Sequence, residues 1–253
     1  MKHRWGGAIV AATMVAAACI DLSTDVDEIV AIEFVDLPWP SVVAGDTLRD
    51  ATGAVAPLVA RLFDGGGDVV SGPVEFLTQQ TSVHVVGGDR LVADDTATGQ
   101  AGIFASTTGV QSIVRQVEIV AAPDSVATDG TVVPLDWVVP DDPQLNVSQP
   151  LGVRVLSAAA TGVRAWVVTF QLEAGGRVIP PSDTTQVFLV ADNGRPSYAD
   201  TTDLAGKASR RLRLRIAPGL VPPDSAVITV SAAHRGAALA GSPVRLVLPL
   251  RPG

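Results

Sequence analysis

The one thiol in the chain is Cys19, and it sits in Val15-Ala16-Ala17-Ala18-Cys19-Ile20-Asp21. Ahead of it come a basic start (Lys2, Arg4) and an uncharged apolar run from Trp5 to Ala18. Basic residues, a short apolar run and then small residues form the layout of a secretory signal peptide, here residues 1–18. The run is also shorter than the roughly 20 apolar residues that a membrane-spanning helix needs. A lone cysteine makes no internal disulfide, so an unpaired thiol in an exported chain calls for another role.

Other reactive groups are sparse. After residue 18 the histidines are His84 and His234, far apart in sequence. No HExxH, CxxC or His–Cys cluster is present, which leaves zinc without ligands at a usable spacing. Gly206-Lys207 lacks both the earlier glycine and the following Ser/Thr of a phosphate loop, and no G-x-S-x-G elbow occurs. Acid pairs stand at Asp94-Asp95, at Asp141-Asp142, and at Asp200 with Asp203. Such pairs perform acid–base work only across a cleft of defined width, and solvated loops account for them more simply. No cofactor is expected. If any metal binds, calcium is the one whose preference for hard oxygens fits the Asp141-Asp142 segment or the Asp200/Asp203 turn. Asn146-Val147-Ser148 is a glycosylation sequon by pattern. An enzyme is not expected.

The cysteine stretch resembles the lipobox of bacterial lipoproteins, with Ala16 where that motif usually carries Leu. The resemblance implies that Cys19 is lipidated and becomes the first mature residue. Each buried CH₂ contributes roughly 0.8 kcal/mol, so several acyl chains anchor durably where one does not. It also implies a location. An Asp directly after the cysteine favours inner-membrane retention in proteobacterial lipoproteins, and Ile20 at that position makes the outer membrane the expected place in the cell envelope. Residues 19–28, acidic and polar, then read as a lipidated tether.

Removing the signal leaves 235 residues with 16 basic and 26 acidic side chains, a net charge of −10. That balance disfavours nucleic acid as a partner. The length permits about two domains. Residues 29–121 alternate strand-like runs with Gly, Asp and Pro punctuation: Ile29–Val35, Ala56–Phe63, Val74–Thr78, Ser82–Val86, Arg90–Ala93, Ala101–Ala105 and Gln111–Val120. Residues 122–150 are proline-rich and read as a semi-rigid linker, whose Thr131–Val139 piece can pair as an edge strand. Residues 151–250 give a second set: Leu151–Leu156, Ala165–Leu172, Gln186–Val190, Ser197–Thr201, Ala208–Ile216, Ala226–Ala233 and Val244–Leu248. In Arg211-Leu212-Arg213-Leu214-Arg215-Ile216 the alternation predicts an apolar inner face and a charged outer one, the chain's only local basic patch.

Two sets of landmarks resemble bacterial Ig-like domains. Val42-Val43-Ala44-Gly45-Asp46-Thr47-Leu48, with Thr98-Gly99-Gln100-Ala101-Gly102 later, resembles the group 2 module. Pro150–Val155, Gly162–Phe170 and Thr202-Asp203-Leu204-Ala205-Gly206-Lys207-Ala208 resemble, in that order, the invasin/intimin-type or group 1 module. Its T-D-x-x-G-x-A turn has a physical basis: Asp caps its own backbone, Gly takes the left-handed conformation and Ala packs as the next strand begins. The resemblance implies an all-β chain of two tandem immunoglobulin-like β-sandwiches, serving as a structural spacer or as an adhesive, binding surface. The partners it implies are the membrane, through the lipid, and an envelope or extracellular protein or polysaccharide. The alternative is a carbohydrate-binding or accessory module of a secreted polysaccharide-processing system. For that, Trp137 and Tyr198 are the candidate ligand contacts, since Trp166 falls in a core strand and Trp39 between two prolines.

Overall fold

The computed structural model describes residues 28–217, 219 and 221–253. The signal peptide, Cys19 and all of the tether but Glu28 lie outside the described residues. Among those described there is no helix, and the chain builds two β-sandwiches.

The first sandwich holds β1 (Ala31–Phe34), β2 (Ser41–Val43), β3 (Ala60–Phe63), β4 (Val69–Val70), β5 (Glu75–Thr78), β6 (Val83–Val86), β7 (Arg90–Ala93), β8 (Gly99–Thr107), β9 (Val110–Gln111) and β10 (Arg115–Val120). One sheet has the order β2-β10-β8-β5, with β9 on β8; a second is β1-β3-β4, and β6 pairs β7. Phe34, Leu48, Leu91 and Ile103 are almost wholly buried between them. The Phe34 and Phe76 rings meet at 5.5 Å. With so few aromatics, the core is otherwise aliphatic.

The second sandwich holds β11 (Pro123–Asp129), β12 (Leu135–Trp137), β13 (Leu151–Ser157), β14 (Val167–Ala174), β15 (Arg177–Ile179), β16 (Val187–Val190), β17 (Ala199–Thr201), β18 (Lys207–Leu214), β19 (Ser225–Ser231), β20 (Ala233–His234), β21 (Ala237–Ala238) and β22 (Val244–Pro252). Its sheets run β11-β13-β18-β16 and β12-β22-β19-β14-β15, with β17 on β14. Val153, Val168, Leu172, Leu189, Leu212, Ile228 and Leu248 fill the space between.

The proline-rich stretch is more than a linker. β11 pairs with β13 along its length, and β12 lies parallel to β22. Pro123 occupies the first strand position and the other prolines fall between strands, where a missing N–H removes no ladder bond.

The arginine-rich strand also differs from its sequence reading. β18 is flanked on both sides, and at Arg213 its outer face is covered rather than open, while Arg211 and Arg215 keep access to solvent. Arg213 is only 8% exposed. Its Nη2 donates to Asp141 Oδ2 at 2.7 Å and its Nη1 to the Asn146 carbonyl at 3.0 Å. Arg215 lies 4.9 Å from the Phe188 ring centroid. Of the expected basic patch, Arg213 is paired with an acid, Arg211 lies 3.6 Å from Asp192, and Arg215 keeps its charge at the surface. The same covering segment buries Asn146 completely, its amide exchanging hydrogen bonds with the Val138 backbone. A glycan has no access there.

The T-D-x-x-G-x-A turn forms as its residues dictate. Asp203 Oδ1 accepts the N–H groups of Ala205 (2.8 Å) and Lys207 (2.9 Å), and Gly206 has φ +76°. A side chain at Gly206 would strike the Val155 carbonyl and Gly162, so the glycine also lets two backbones touch. Beside it, Thr202 Oγ1 donates to Val163 O (2.7 Å) and accepts from Trp166 N (2.8 Å). This buried threonine fixes where Trp166 leaves the turn region to start β14.

Candidate functional site

The chain leaves β1 through Leu37-Pro38-Trp39-Pro40 and bends over residues 38–40, where the prolines fix φ on both sides of Trp39. It then forms β2, all three of whose residues are buried, and turns at Gly45 (φ +74°) into Asp46. Asp46 is only 7% exposed. Its Oδ1 accepts Thr47 N at 2.8 Å and Arg49 Nη2 at 3.0 Å; its Oδ2 accepts Arg49 Nε at 3.0 Å.

From the second sandwich, β20 and β21 form a hairpin whose two-residue tip is Arg235-Gly236. Both tip residues have positive φ, +52° and +77°, as the tightest right-twisting hairpin turns require. This turn carries Arg235 to Asp46, where its Nε donates to Oδ2 at 2.9 Å. Beside that bond the hairpin tip meets a turn of the first sandwich. A Cβ on Gly53 (φ +85°) would run into the backbone of Gly236 and Arg235.

Four further links cross the junction. Ser41 Oγ donates to Ala165 O at 2.8 Å, and Arg164 Nη2 meets Glu118 Oε2 at 2.7 Å. The Trp39 and Trp166 rings meet edge to face at 5.6 Å. Val43 and Val120, at the end of the first sandwich, belong to the hydrophobic cluster of the second. His234 completes the site, its ring 5.5 Å from that of Trp166 and its Nε2 4.0 Å from Asp46 Oδ2. A cavity of about 30 Å³ remains, lined by Trp39, Asp46, Arg49, Trp166, His234 and Arg235 among others.

The charges are set by burial and neighbours. Burial alone would raise the Asp46 pKa, but hydrogen bonds from Arg49, Arg235 and Thr47 override it and hold the carboxyl well below the usual carboxylate range. Burial lowers the His234 pKa, the Arg235 and Arg49 charges add to the effect, and Asp46 opposes it. His234 is therefore neutral at neutral pH. The carboxylate is locked in ion pairs, and the Ser41 hydroxyl lining the same cavity is committed to the Ala165 carbonyl. The arrangement links the two sandwiches through side chains from both.

The candidate ligand contacts lie elsewhere. Trp137, on edge strand β12, is half-buried against the second core, and so is Tyr198, whose hydroxyl burial pushes its pKa up. β12 and β17, which Tyr198 precedes, lie on opposite sides of β22-β19-β14. Four strand spacings of about 4.8 Å put them roughly 19 Å apart, so they make no common platform. His84 is half-exposed beside Asp94 (3.5 Å). Asp200 is engaged by Arg210 and Ser209 N, Asp203 by its own turn and Asp141 by Arg213. Among the described residues, no three His, Cys, Asp or Glu side chains come together as a metal-binding group.

No protein-family model matches the chain, and no curated protein matches it by sequence. Solved structures similar to it include domains 4 and 5 of the S-layer protein SbsC, at 12% identity over 88% of this chain and 99% of that one, with a TM-score of 0.31. The Yersinia pseudotuberculosis adhesin InvE is similar at 16% identity over 86% of this chain and 58% of its own, with a TM-score of 0.33. An E. coli alpha-2-macroglobulin is similar at 14% identity over 88% of this chain and 14% of its own, also with a TM-score of 0.33. At TM-scores this low, no function is carried across from these proteins.

Proposed function

We propose that this is a non-enzymatic, lipid-anchored protein of the cell envelope whose two sandwiches form a rigid spacer that holds a binding surface away from the membrane. The observation that carries the reading is the junction, where Asp46 and Arg235, two abutting turns and a shared apolar cluster join the sandwiches without a free linker. Strand directions add to it. β1 runs toward the junction, reaching Trp39, whereas β22 starts next to Val230 near the junction hairpin and runs away from it. The described chain therefore enters at one pole and ends at the other. Cys19 would carry the lipid, and the nine residues from it to Glu28 could span at most about 30 Å at roughly 3.3–3.6 Å per residue. The outer membrane is the proposed location.

Fractionation of the host's membranes, beside a Cys19→Ala variant, tests the anchor. The wild type is expected in the membrane fraction and the variant in the soluble one; identical fractionation would remove the anchor. Protease on intact cells then separates the two faces of the envelope. Cleavage would point to an outward ligand, and protection to a periplasmic partner.

A further inference from the structure

We propose that the junction is an acid-responsive joint: protonation of His234 breaks the link between Asp46 and Arg235 and loosens the angle between two sandwiches that each stay folded. The inference rests on the rigid-spacer reading of the junction, but not on the anchor.

The geometry starts at Asp46. A carboxylate offers about four lone-pair positions. All four are taken here, by Thr47 N, Arg49 Nη2, Arg49 Nε and Arg235 Nε. Nε2 of His234, 4.0 Å from Oδ2, lies just beyond hydrogen-bond reach. An imidazolium there gains an acceptor only by displacing an arginine. The exposed partner is Arg235, with 55% of its side chain accessible against 27% for Arg49. Arg235 is also the one that crosses the junction.

The other ring nitrogen strengthens the case. His234 Nδ1 is buried with no protein partner. In the neutral ring with its one proton on Nε2, Nδ1 is an unused acceptor; the second proton makes it a buried donor with nothing to receive it, which is costly, and puts a full charge behind the Nε2–H that faces Asp46. The charges facing the ring come from both sandwiches: Asp46, Arg49 and Asp50 from the first, Arg235 from the hairpin itself. The aromatic neighbours Trp39 and Trp166 are uncharged. A third cation thus enters a site already holding two guanidinium groups. Burial and those guanidinium groups already favour the neutral ring. The remaining links, Ser41 to Ala165, Arg164 to Glu118, Trp39 to Trp166, and Val43 and Val120 in the second cluster, keep the sandwiches in contact while the angle loosens, and the rest of each cluster lies outside this site.

The test is a distance distribution between fluorophores on cysteines at exposed Val69 and Val178 of the full chain, with circular dichroism reporting on folding. At about pH 7.5 one narrow population is expected; toward about pH 5 that population should be lost reversibly while the strand signal persists, in the range where histidines titrate. His234→Gln should stay narrow at both pH values, and His234→Arg should be broad at both. A wild-type distribution that stays narrow under acid overturns the inference and leaves the rigid spacer standing. So does a Gln variant that broadens like the wild type. A broad distribution already at pH 7.5 overturns both readings. If the Gln variant does not fold, the His234 NMR titration midpoint must coincide with the broadening, and a mismatch overturns the inference.

Discussion

Arg235 Nε donates to Asp46 Oδ2 at 2.9 Å across 189 residues of chain, and this single bond ties a hairpin tip of one sandwich to a turn of the other. The arginine is itself in the left-handed region (φ +52°), a conformation that costs most L-residues roughly 1–2 kcal/mol. Backbone strain and a saturated carboxylate therefore coincide at the same point of contact.

Replacing Asp46 with Ala leaves two guanidinium groups and the Thr47 N–H without their acceptor. The expected loss is about 1–3 kcal/mol, read from urea unfolding of the whole chain. Arg235→Ala should cost under about 1 kcal/mol, because its side chain is more than half exposed. An Asp46→Ala change within error of wild type would mean that the hub contributes nothing to stability.

Gly53 and Gly67 form a controlled pair. Their φ angles are nearly the same, +85° and +87°, but a Cβ on Gly67 meets nothing whereas one on Gly53 collides with the hairpin tip. Alanine at either site should carry the same backbone cost of about 1–2 kcal/mol. Only Gly53→Ala should also disturb the distance between the sandwiches. Equal behaviour in the labelled-cysteine experiment would mean that the turn tips do not bear on each other.

Thr202→Val keeps the side-chain shape but removes both of its buried hydrogen bonds, to Val163 O and from Trp166 N. We expect about 1–3 kcal/mol of destabilisation in the second sandwich, restored by Thr202→Ser, with chemical denaturation as the measurement. If the valine variant is as stable as wild type, Thr202 is not what holds the approach to β14.

Stability should fall with acid in two separate steps. His234 has a folded-state pKa below its ordinary 6.5, so its contribution is complete above that value and is lost as pH drops beneath it. Asp46 is depressed below its ordinary 3.8, so its contribution persists above that value and is lost only at lower pH. Unfolding free energy measured against pH should lose the upper step in His234→Gln and show a smaller lower one in Asp46→Asn, since Asp50, Asp141 and Asp183 are depressed as well and contribute to the lower step. A single step removed by neither variant would count against both assignments.

Much of the strand pattern could be read in advance because alternation reports directly on which face is buried. Ser82–Val86, Arg90–Ala93, Ala208–Ile216 and Val244–Leu248 all overlap observed strands. The Asp203–Lys207 turn was equally legible, since Asp and Gly act there on neighbouring backbone. The strand at Pro123–Asp129 was hidden by its setting among prolines, which give no local sign that a run between them finds a ladder partner in β13. Burial of Arg213 was hidden too: alternation separates two faces but does not say what lies on the outer one.

The junction was not legible at all, although two of its parts carried signals. Gly45-Asp46-Thr47 belongs to the stretch that resembles the group 2 module, and His234 is followed by Arg235-Gly236. Neither reveals its partner, because a side chain such as that of Asp46 is free to pair with any cation the fold delivers. The sequence by itself determined most of the strands, the local turns and the charge, all of which depend on residues within a few positions of each other. Tertiary structure decided that Asp46, Trp39, Trp166, His234 and Arg235 meet, because strand pairing over more than a hundred residues is what brings them within hydrogen-bond and van der Waals distance.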